Sequence, residues 1–163
     1  MTKPYFIELA DYNCWANDIV CNWLSQISDA QWEQPIVSSF GSIQATVLHI
    51  IGAEHIWVDR MAQAGNLVWL PTSYKGSREE HIALWKNTTQ RLKDFVTGFD
   101  ESKLQVSFTF KRVSGEENTL AYYQTLAHVF NHSSYHRGQL VTMLRQVGFT
   151  NVQSTDLLNY YRL

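Results

Sequence analysis

Long stretches of helical periodicity, separated by few helix-breaking residues, constrain this chain more than any other sequence feature. Only three prolines and eight glycines occur among 163 residues, and most lie between those stretches. Apolar residues first recur at three- and four-residue steps from Pro4 to about Ser25. Similar patterns predict helices from Ser42 to Gly65, from Ser77 to Gly98 and from about Leu120 to Gln146. Four amphipathic helices of this length predict an all-α protein, an antiparallel four-helix bundle.

A short segment before the last long helix departs from this periodicity. Between Leu104 and Thr119, the apolar residues Val106, Phe108 and Phe110 alternate with polar ones. The dipeptide Ser114-Gly115 is a turn signal in the same segment. We therefore predict a small β-hairpin between the third and fourth long helices.

Length, charge and composition restrict the classes of partner. A hydrophobic content of 45% is ample for one core, so we expect a single domain spanning residues 1–163. The formal charge of −2, without a run of basic residues, argues against nucleic acid as a partner. The apolar run from Thr46 to Ala53 is far shorter than the roughly 20 residues of a membrane span. With no apolar signal core at the N-terminus, we expect a cytoplasmic protein.

The two cysteines, Cys14 and Cys21, lie seven residues apart in the first predicted helix. That spacing separates them by roughly 10 Å along the helix axis, which is too far for a disulfide. We expect both thiols to be reduced and mostly buried. Because burial raises the pKa of a thiol, we assign Cys14 a structural role.

Two histidines in the last long helix form the strongest functional motif. His132 and His136 lie four residues apart, so about 40° separates their side chains and both can bind one metal ion. His128 and His132 have the same spacing, but about 80° separates His128 from His136. Polar residues crowd around the later pair, which favours a functional cavity there. We expect a structural or supporting role for His128.

A catalytic metal centre usually takes three protein ligands, so another residue is needed. His49 lies in an apolar stretch, where a lone histidine is more often a hydrogen-bonded core residue, although a bundle could place it opposite the pair. His55 lies about 240° around the helix from His49, and Glu54 about 140°, so neither is expected to face the ion with it. His81 falls in the first turn of the third helix, where we expect a solvated side chain.

The chain resembles the DinB-like (damage-inducible B) family, which overlaps with the bacillithiol and mycothiol S-transferase-like proteins. The resemblance covers nearly the whole chain, and the motif of the last long helix is its most specific part. The matching segments are Tyr12-Asn13-Cys14-Trp15-Ala16-Asn17, His49-Ile50 with Ala53-Glu54 and Trp57, His128-Val129-Phe130-Asn131-His132, and Tyr135-His136-Arg137-Gly138-Gln139. The resemblance implies an up-down-down-up four-helix bundle with a divalent metal, commonly nickel or zinc. The ligands that it implies are His49, His132 and His136, and it gives His128 no ligand role.

The resemblance also implies a thiol S-transferase, which joins a low-molecular-weight bacterial thiol to an electrophile. A metal-dependent, amidase-like hydrolase is the alternative chemistry. A non-catalytic metal-binding or stress-related module, or a bundle with core histidines and no metal, are the blander interpretations. An open coordination position in a cleft would favour an enzyme, whereas a fourth protein ligand would indicate a structural site.

Other polar residues of the matching motifs either orient substrate or only pack between helices, so no catalytic residue is assigned. These residues are Tyr12, Asn13, Tyr135, Arg137 and Gln139. Six tryptophans in so short a chain predict an apolar exterior face, and therefore a homodimer.

Overall fold

The computed structural model describes residues 1–112 and 114–163, and the fold is mostly helical with a small antiparallel sheet. The helices are α1 (Lys3–Leu24), α2 (Asp29–Glu33), α3 (Ile43–Met61), α4 (Leu70–Ser73), α5 (Arg78–Gly98), α6 (Tyr122–Gln146) and α7 (Leu157–Tyr160). A 3₁₀ turn covers Glu101–Lys103, and the strands are β1 (Ser107–Lys111) and β2 (Glu117–Ala121). The four predicted long helices are α1, α3, α5 and α6. None of the described helices combines the length and the apolar character that crossing a bilayer would need.

Two buried clusters establish how the four long helices run. One cluster joins the C-terminal parts of α1 and α6 to the N-terminal parts of α3 and α5, through residues such as Leu24, Val47, Trp85 and Met143. The other joins the opposite ends of the same helices, through residues such as Phe6, Val58, Val96 and Leu126. Helices α1 and α6 therefore run one way and α3 and α5 the other, which is the up-down-down-up bundle that the resemblance implies.

Serine side chains cap two of the four long helices, α3 and α5, where the sequence predicts. Ser42 caps α3 by accepting a hydrogen bond from the Ala45 amide at 3.1 Å. Ser77 and Glu80 form a reciprocal capping box at the start of α5. Because α3 starts at a fixed residue, His49 lies in its second turn, close to the middle of α6, which carries the histidine pair.

The predicted hairpin is present, but its second strand extends further than expected. Phe108 pairs with Leu120 and Ser107 with Ala121, so α6 begins at Tyr122 rather than at Leu120. Phe108 and Phe110 are buried against the bundle, which explains their alternation with polar residues. Val113, within the predicted hairpin, lies outside the described residues.

Two expectations about exposure are wrong. His81 is only 1% exposed, because Trp32 and Tyr74 pack edge-on against its ring at centroid distances of 5.5 and 5.0 Å. Its Nδ1 also lies 2.8 Å from the carbonyl oxygen of Ser77. The tryptophans form no exterior face, since three of them are fully buried and the other three are half-buried. The tryptophans of this chain therefore pack mainly in its interior.

Candidate metal centre

The structure brings three histidines from two helices to one point. The Nε2 atom of His132 lies 3.0 Å from that of His49 and 3.1 Å from that of His136. One ligand atom from each of the three residues lies within 4.8 Å of the other two. We call these residues the histidine cluster. The sequence interval between His132 and His136 sets one edge of the cluster, and the antiparallel packing of α3 against α6 adds His49.

Gln139 fixes the orientation of one ring in the histidine cluster. The Nδ1 atom of His136 lies 2.8 Å from Oε1 of Gln139, one helical turn further along α6. Since an amide oxygen only accepts, the proton is on Nδ1 and the lone pair of Nε2 faces His132. A partner of this kind is what metal-binding histidines usually have behind them.

The surroundings keep the histidine cluster neutral at pH 7. Burial lowers the pKa of His49 to about 4 and that of His132 to about 3, and neighbouring imidazoles add to both effects. Burial also lowers the pKa of His136, although the hydrogen bond to Gln139 opposes that change. Neutral imidazole is the form that binds a metal ion, so the cluster does not have to lose protons first.

The spacing of the three nitrogens fits one shared ion. Two nitrogen ligands at about 2.0–2.1 Å from a zinc-type ion lie roughly 2.9–3.4 Å apart for angles between about 90° and 110°. The two shorter separations in the cluster, 3.0 and 3.1 Å, fall in that range. Without an ion, two of the three facing nitrogens would hold lone pairs towards each other or share a single proton. The donor set and its geometry therefore fit a divalent metal.

Aromatic side chains from two loops enclose the histidine cluster. Phe40, just before α3, stacks on His49 at a centroid distance of 4.0 Å and meets His136 edge-on at 5.4 Å. Trp69 contacts the other side of His49 edge-on at 5.9 Å. The segment with Trp69 approaches α3 closely because Gly52 has no side chain, and a Cβ there would lie 2.5 Å from Cδ of Pro71. These contacts hold the His49 ring in place and restrict access of water to it.

A cleft of about 450 Å³ opens beside the histidine cluster, with His49 and His132 in its wall. This volume is within the usual range for small-molecule sites. Helix α3 forms one wall through Ala53, Trp57 and Arg60, and the hairpin faces it with Phe110 and Asn118. Among the described residues, the cluster has three possible ligands and no fourth one closing it. The three histidines could therefore hold a metal ion beside a cavity, without a fourth protein ligand among the described residues.

A larger cavity of about 870 Å³ lies between α1, α6 and the C-terminal segment, and none of the three histidines lines it. Its walls include Tyr5, Phe130, Asn131 and Arg145. Size alone would make it the first candidate for a binding site, but it contains no group of metal ligands or perturbed bases. The smaller cleft is the one that lies beside the histidine cluster.

The remaining histidines and Glu54 lie outside the cluster, as the helical angles predict. His128 packs edge-on against Trp57 at a centroid distance of 5.3 Å and lines the cleft. His55 lies 3.2 Å from the carboxylate of Asp59, and Arg91 of α5 contacts both residues. Glu54 is fully buried, and its carboxylate accepts hydrogen bonds from other residues rather than facing the histidines.

Glu54 is the centre of what we call the carboxylate network. Its Oε1 accepts from Asn13, Asn17 and Ser133 at 2.8, 3.1 and 2.9 Å. Its Oε2 accepts from Thr89 at 3.0 Å. One guanidinium nitrogen of Arg137 donates to the side-chain oxygens of Asn13 and Asn17. The network joins all four long helices across the middle of the bundle.

Most of the motif residues considered for substrate orientation have packing roles. Asn13 and Arg137 are buried in the carboxylate network. Tyr12 donates its hydroxyl to the Thr155 carbonyl at 2.8 Å and lies beneath the Arg137 guanidinium. Gln139 holds His136, while Tyr135 is 63% exposed. Of these five residues, Gln139 hydrogen-bonds to the histidine cluster, and Tyr135 packs edge-on against the His136 ring at a centroid distance of 4.9 Å.

Sequence reasoning missed Phe40, Trp69 and Arg60. Phe40 and Trp69 lie in irregular segments, where no periodicity predicts which way a side chain points. The position of Arg60 can be inferred from its sequence interval to His49, because 11 residues make three full helical turns and only about 20° more. Its side chain therefore shares a helix face with His49.

Comparison with known proteins agrees with the fold and the motifs. The DinB family model matches residues 1–162. Protein DinB of Bacillus subtilis (strain 168) is 26% identical over 154 residues, which cover 91% of this chain and 90% of that protein.

Two solved structures have the same fold. A crystal structure of a DinB-like protein from Bacillus subtilis gives a TM-score of 0.69 at 15% identity, covering 91% of this chain and 97% of that one. A DinB-like protein from Bacillus cereus ATCC 10987 gives 0.72 at 17% identity, covering 91% and 94% of the two chains. With the family model matching almost from end to end, the chain belongs to the DinB family.

Proposed function

We propose that this protein is a divalent-metal-dependent S-transferase that joins a low-molecular-weight bacterial thiol to an electrophile. His49, His132 and His136 would hold the ion, nickel or zinc. The observation that carries the proposal is the convergence of three neutral imidazoles, without a fourth protein ligand among the described residues, on the wall of a 450 Å³ cleft.

The chemistry requires a thiol to become a nucleophile at neutral pH. A divalent ion bound at the cluster would lower the pKa of a thiol in the cleft. The sulfur then forms a bond to the electrophilic carbon, while the bond from that carbon to its leaving group breaks and the leaving group takes the electron pair. The thiol proton passes to solvent.

The side chains around the cluster have separate tasks in this proposal. Gln139 keeps Nε2 of His136 unprotonated by accepting from Nδ1. Phe40 and Trp69 limit water around His49, which favours sulfur over hydroxide as the attacking group. Trp57 and Phe110 give the cleft an apolar wall for the carbon skeleton of the electrophile.

Two features support catalysis over a purely structural metal site. A structural zinc site is closed by four protein ligands, and the described residues offer three here. Cys14 cannot serve as an alternative nucleophile, because burial raises the pKa of its thiol to about 11.

We further propose that the chain acts as one domain, as a cytoplasmic homodimer, and light scattering of the purified protein tests the dimer.

Conjugation assays test the transferase. Protein purified without a histidine tag is stripped with a chelator, reloaded with nickel or zinc, and mixed with bacillithiol, mycothiol, cysteine or coenzyme A. Monochlorobimane and 1-chloro-2,4-dinitrobenzene serve as electrophiles, and product is followed by absorbance or fluorescence. We expect turnover with at least one thiol that requires the metal. Absence of metal-dependent turnover with every pair would overturn the transferase, and amide hydrolysis under the same conditions would replace it.

A further inference from the structure

The proposed metal chemistry leaves the presence of Arg60 in the cleft unexplained. Arg60 lies in the last turn of α3 and is only 7% exposed, yet it lines the cleft. Among the described residues, no carboxylate lies within salt-bridge distance of its guanidinium, and its Nε has no hydrogen-bond partner. A buried cation without a carboxylate partner is costly, so proteins rarely keep one without a ligand for it.

Aromatic rings hold this guanidinium in a fixed orientation. Its central carbon lies 4.7 Å from the ring centre of Trp57 and 5.4 Å from that of Phe110. These cation–π contacts offset part of the cost of burial without using the N–H groups. The planar fork of donors therefore remains available to an acceptor.

A second unpaired donor lies in the same cleft. The Nδ2 atom of Asn118, on β2, is buried and has no hydrogen-bond partner among the described residues. None of the described residues that line the cleft is acidic. Arg112, at the rim, pairs with Glu116 at 3.3 Å, so Arg60 is the cation without a counter-ion in this wall. Unpaired donors together with a single positive charge indicate an acceptor that carries negative charge.

We propose that Arg60 binds a carboxylate group of the substrate, with Asn118 as a second donor, and so selects acidic thiols or acidic electrophiles. The inference rests on the proposed function, since the sulfur end of the substrate lies at the histidine cluster. One carboxylate matches the single positive charge, and its two oxygens match two parallel N–H groups of a guanidinium. Arg60 is thus a specificity-determining residue.

The helix sets the distance between the two ends of such a ligand. His49 and Arg60 are 11 residues apart on one face of α3, or about 16 Å along its axis. Side chains on a helix tilt towards its N-terminus, and the longer Arg60 side chain reaches further in that direction than His49 does, which shortens the gap between the two groups. A thiol and a carboxylate separated by an extended chain of about eight carbons therefore match the cleft better than a short mercapto acid.

A matched pair of thiols tests the proposal. Cobalt(II)-loaded protein is titrated with 8-mercaptooctanoate and with 8-mercaptooctan-1-ol, and the thiolate-to-cobalt charge-transfer absorption gives each dissociation constant. Wild-type protein should bind the acid roughly 10- to 100-fold more tightly than the alcohol, the value of a hydrogen-bonded charge. R60M should remove that preference, and R60K, which keeps the charge without the planar fork, should restore part of it. R145M, which removes an exposed cation outside the cleft, should keep the full preference.

The outcomes separate this inference from the proposed function. Equal binding of acid and alcohol by wild-type protein, or a preference that survives in R60M, overturns the role of Arg60 even when the thiolate absorption appears. Absence of that absorption with any thiol counts against the transferase instead. In that case calorimetric titration of metal-free wild-type and R60M proteins with octanoate and octan-1-ol still decides the inference, because a preference for octanoate that R60M loses must come from Arg60 and not from Arg112. The short 3-mercaptopropionate should show no dependence on Arg60.

Discussion

Helices α3 and α6 contribute to both the histidine cluster and the carboxylate network, and the two clusters differ in how their polar groups are paired. On α6, residues of one cluster are directly followed in sequence by residues of the other. His132 and His136 belong to the histidine cluster, while the next residues, Ser133 and Arg137, belong to the carboxylate network. A step of one residue turns a helix by about 100°, which is enough to place neighbours on different faces. One pair of helices thus builds both a candidate metal centre and a structural crosslink.

The two clusters differ in how many of their polar groups have a hydrogen-bond partner. In the carboxylate network, four hydrogen bonds reach the Glu54 oxygens, and two asparagine oxygens accept from Arg137. The histidine cluster instead has three nitrogens facing one another beside an open cleft. The Glu54 carboxylate is fully paired and makes the arrangement of the helices specific, although Nε of Arg137 has no partner among the described residues, whereas nitrogens that converge beside a cleft are ready to bind. Function is therefore expected where the internal pairing is incomplete.

The largest expected effect is on metal binding when one histidine is removed. His132→Ala deletes the member nearest to both others, so affinity for nickel or zinc should fall by more than roughly 100-fold. His128→Ala removes a histidine one turn earlier that lies outside the cluster, and it should leave the stoichiometry at about one ion per chain. Elemental analysis of untagged protein after dialysis measures both. Equal metal content in the two variants would show that the cluster is not the binding site.

The carboxylate network should respond in stability rather than in metal content. Glu54→Gln removes an acceptor for buried donors and leaves the Arg137 charge without its counter-charge, which should cost about 3 kcal/mol in free energy of unfolding. Glu33→Gln, at an exposed position, should change that free energy by less than about 0.5 kcal/mol. Urea unfolding of the metal-free proteins measures the difference. If Glu54→Gln lost its metal while keeping its stability, Glu54 would belong to the metal site and not to a structural network.

The sequence predicted one of these clusters far better than the other. Helical periodicity gives the angle between residues on one helix, so it turns Glu54 away from His49 and allows His132 to pair with His136 or with His128. The polar neighbours of the later pair decide between these two. It does not say which helix faces meet, and the carboxylate network depends on contacts among four helices. The burial of His81 was missed for the same reason, because Trp32 and Tyr74 reach it from other elements. His49 was selected through the family resemblance, since its apolar neighbours alone favour a core role.

A third prediction tests whether metal binding by the histidine cluster depends on the hydrogen bond from His136 to Gln139. Gln139→Leu removes the acceptor for Nδ1 of His136 and frees both the ring and its tautomer. Metal affinity should fall roughly 10- to 100-fold, as it does when such supporting partners are lost. Gln139→Glu keeps an oxygen acceptor at the same place and should stay close to wild type. Competition with a chromophoric chelator gives the affinities, and equal loss in both variants would assign Gln139 a different role.

The smallest effect is expected at Cys14, which lies on the side of α1 towards Thr89 and the carboxylate network, away from the cleft. Burial raises the pKa of its thiol to about 11, so the protonated form prevails at neutral pH. Alkylation of native protein by iodoacetamide should be slow at pH 8 and accelerate only as the pH rises towards the pKa. Cys14→Ala should leave metal content and metal-dependent conjugation within about twofold of wild type, because the residue is not the nucleophile. If Cys14→Ala keeps its metal and its stability but loses conjugation, the reacting sulfur belongs to the protein. The reaction would then take place beside the carboxylate network and not at the histidine cluster.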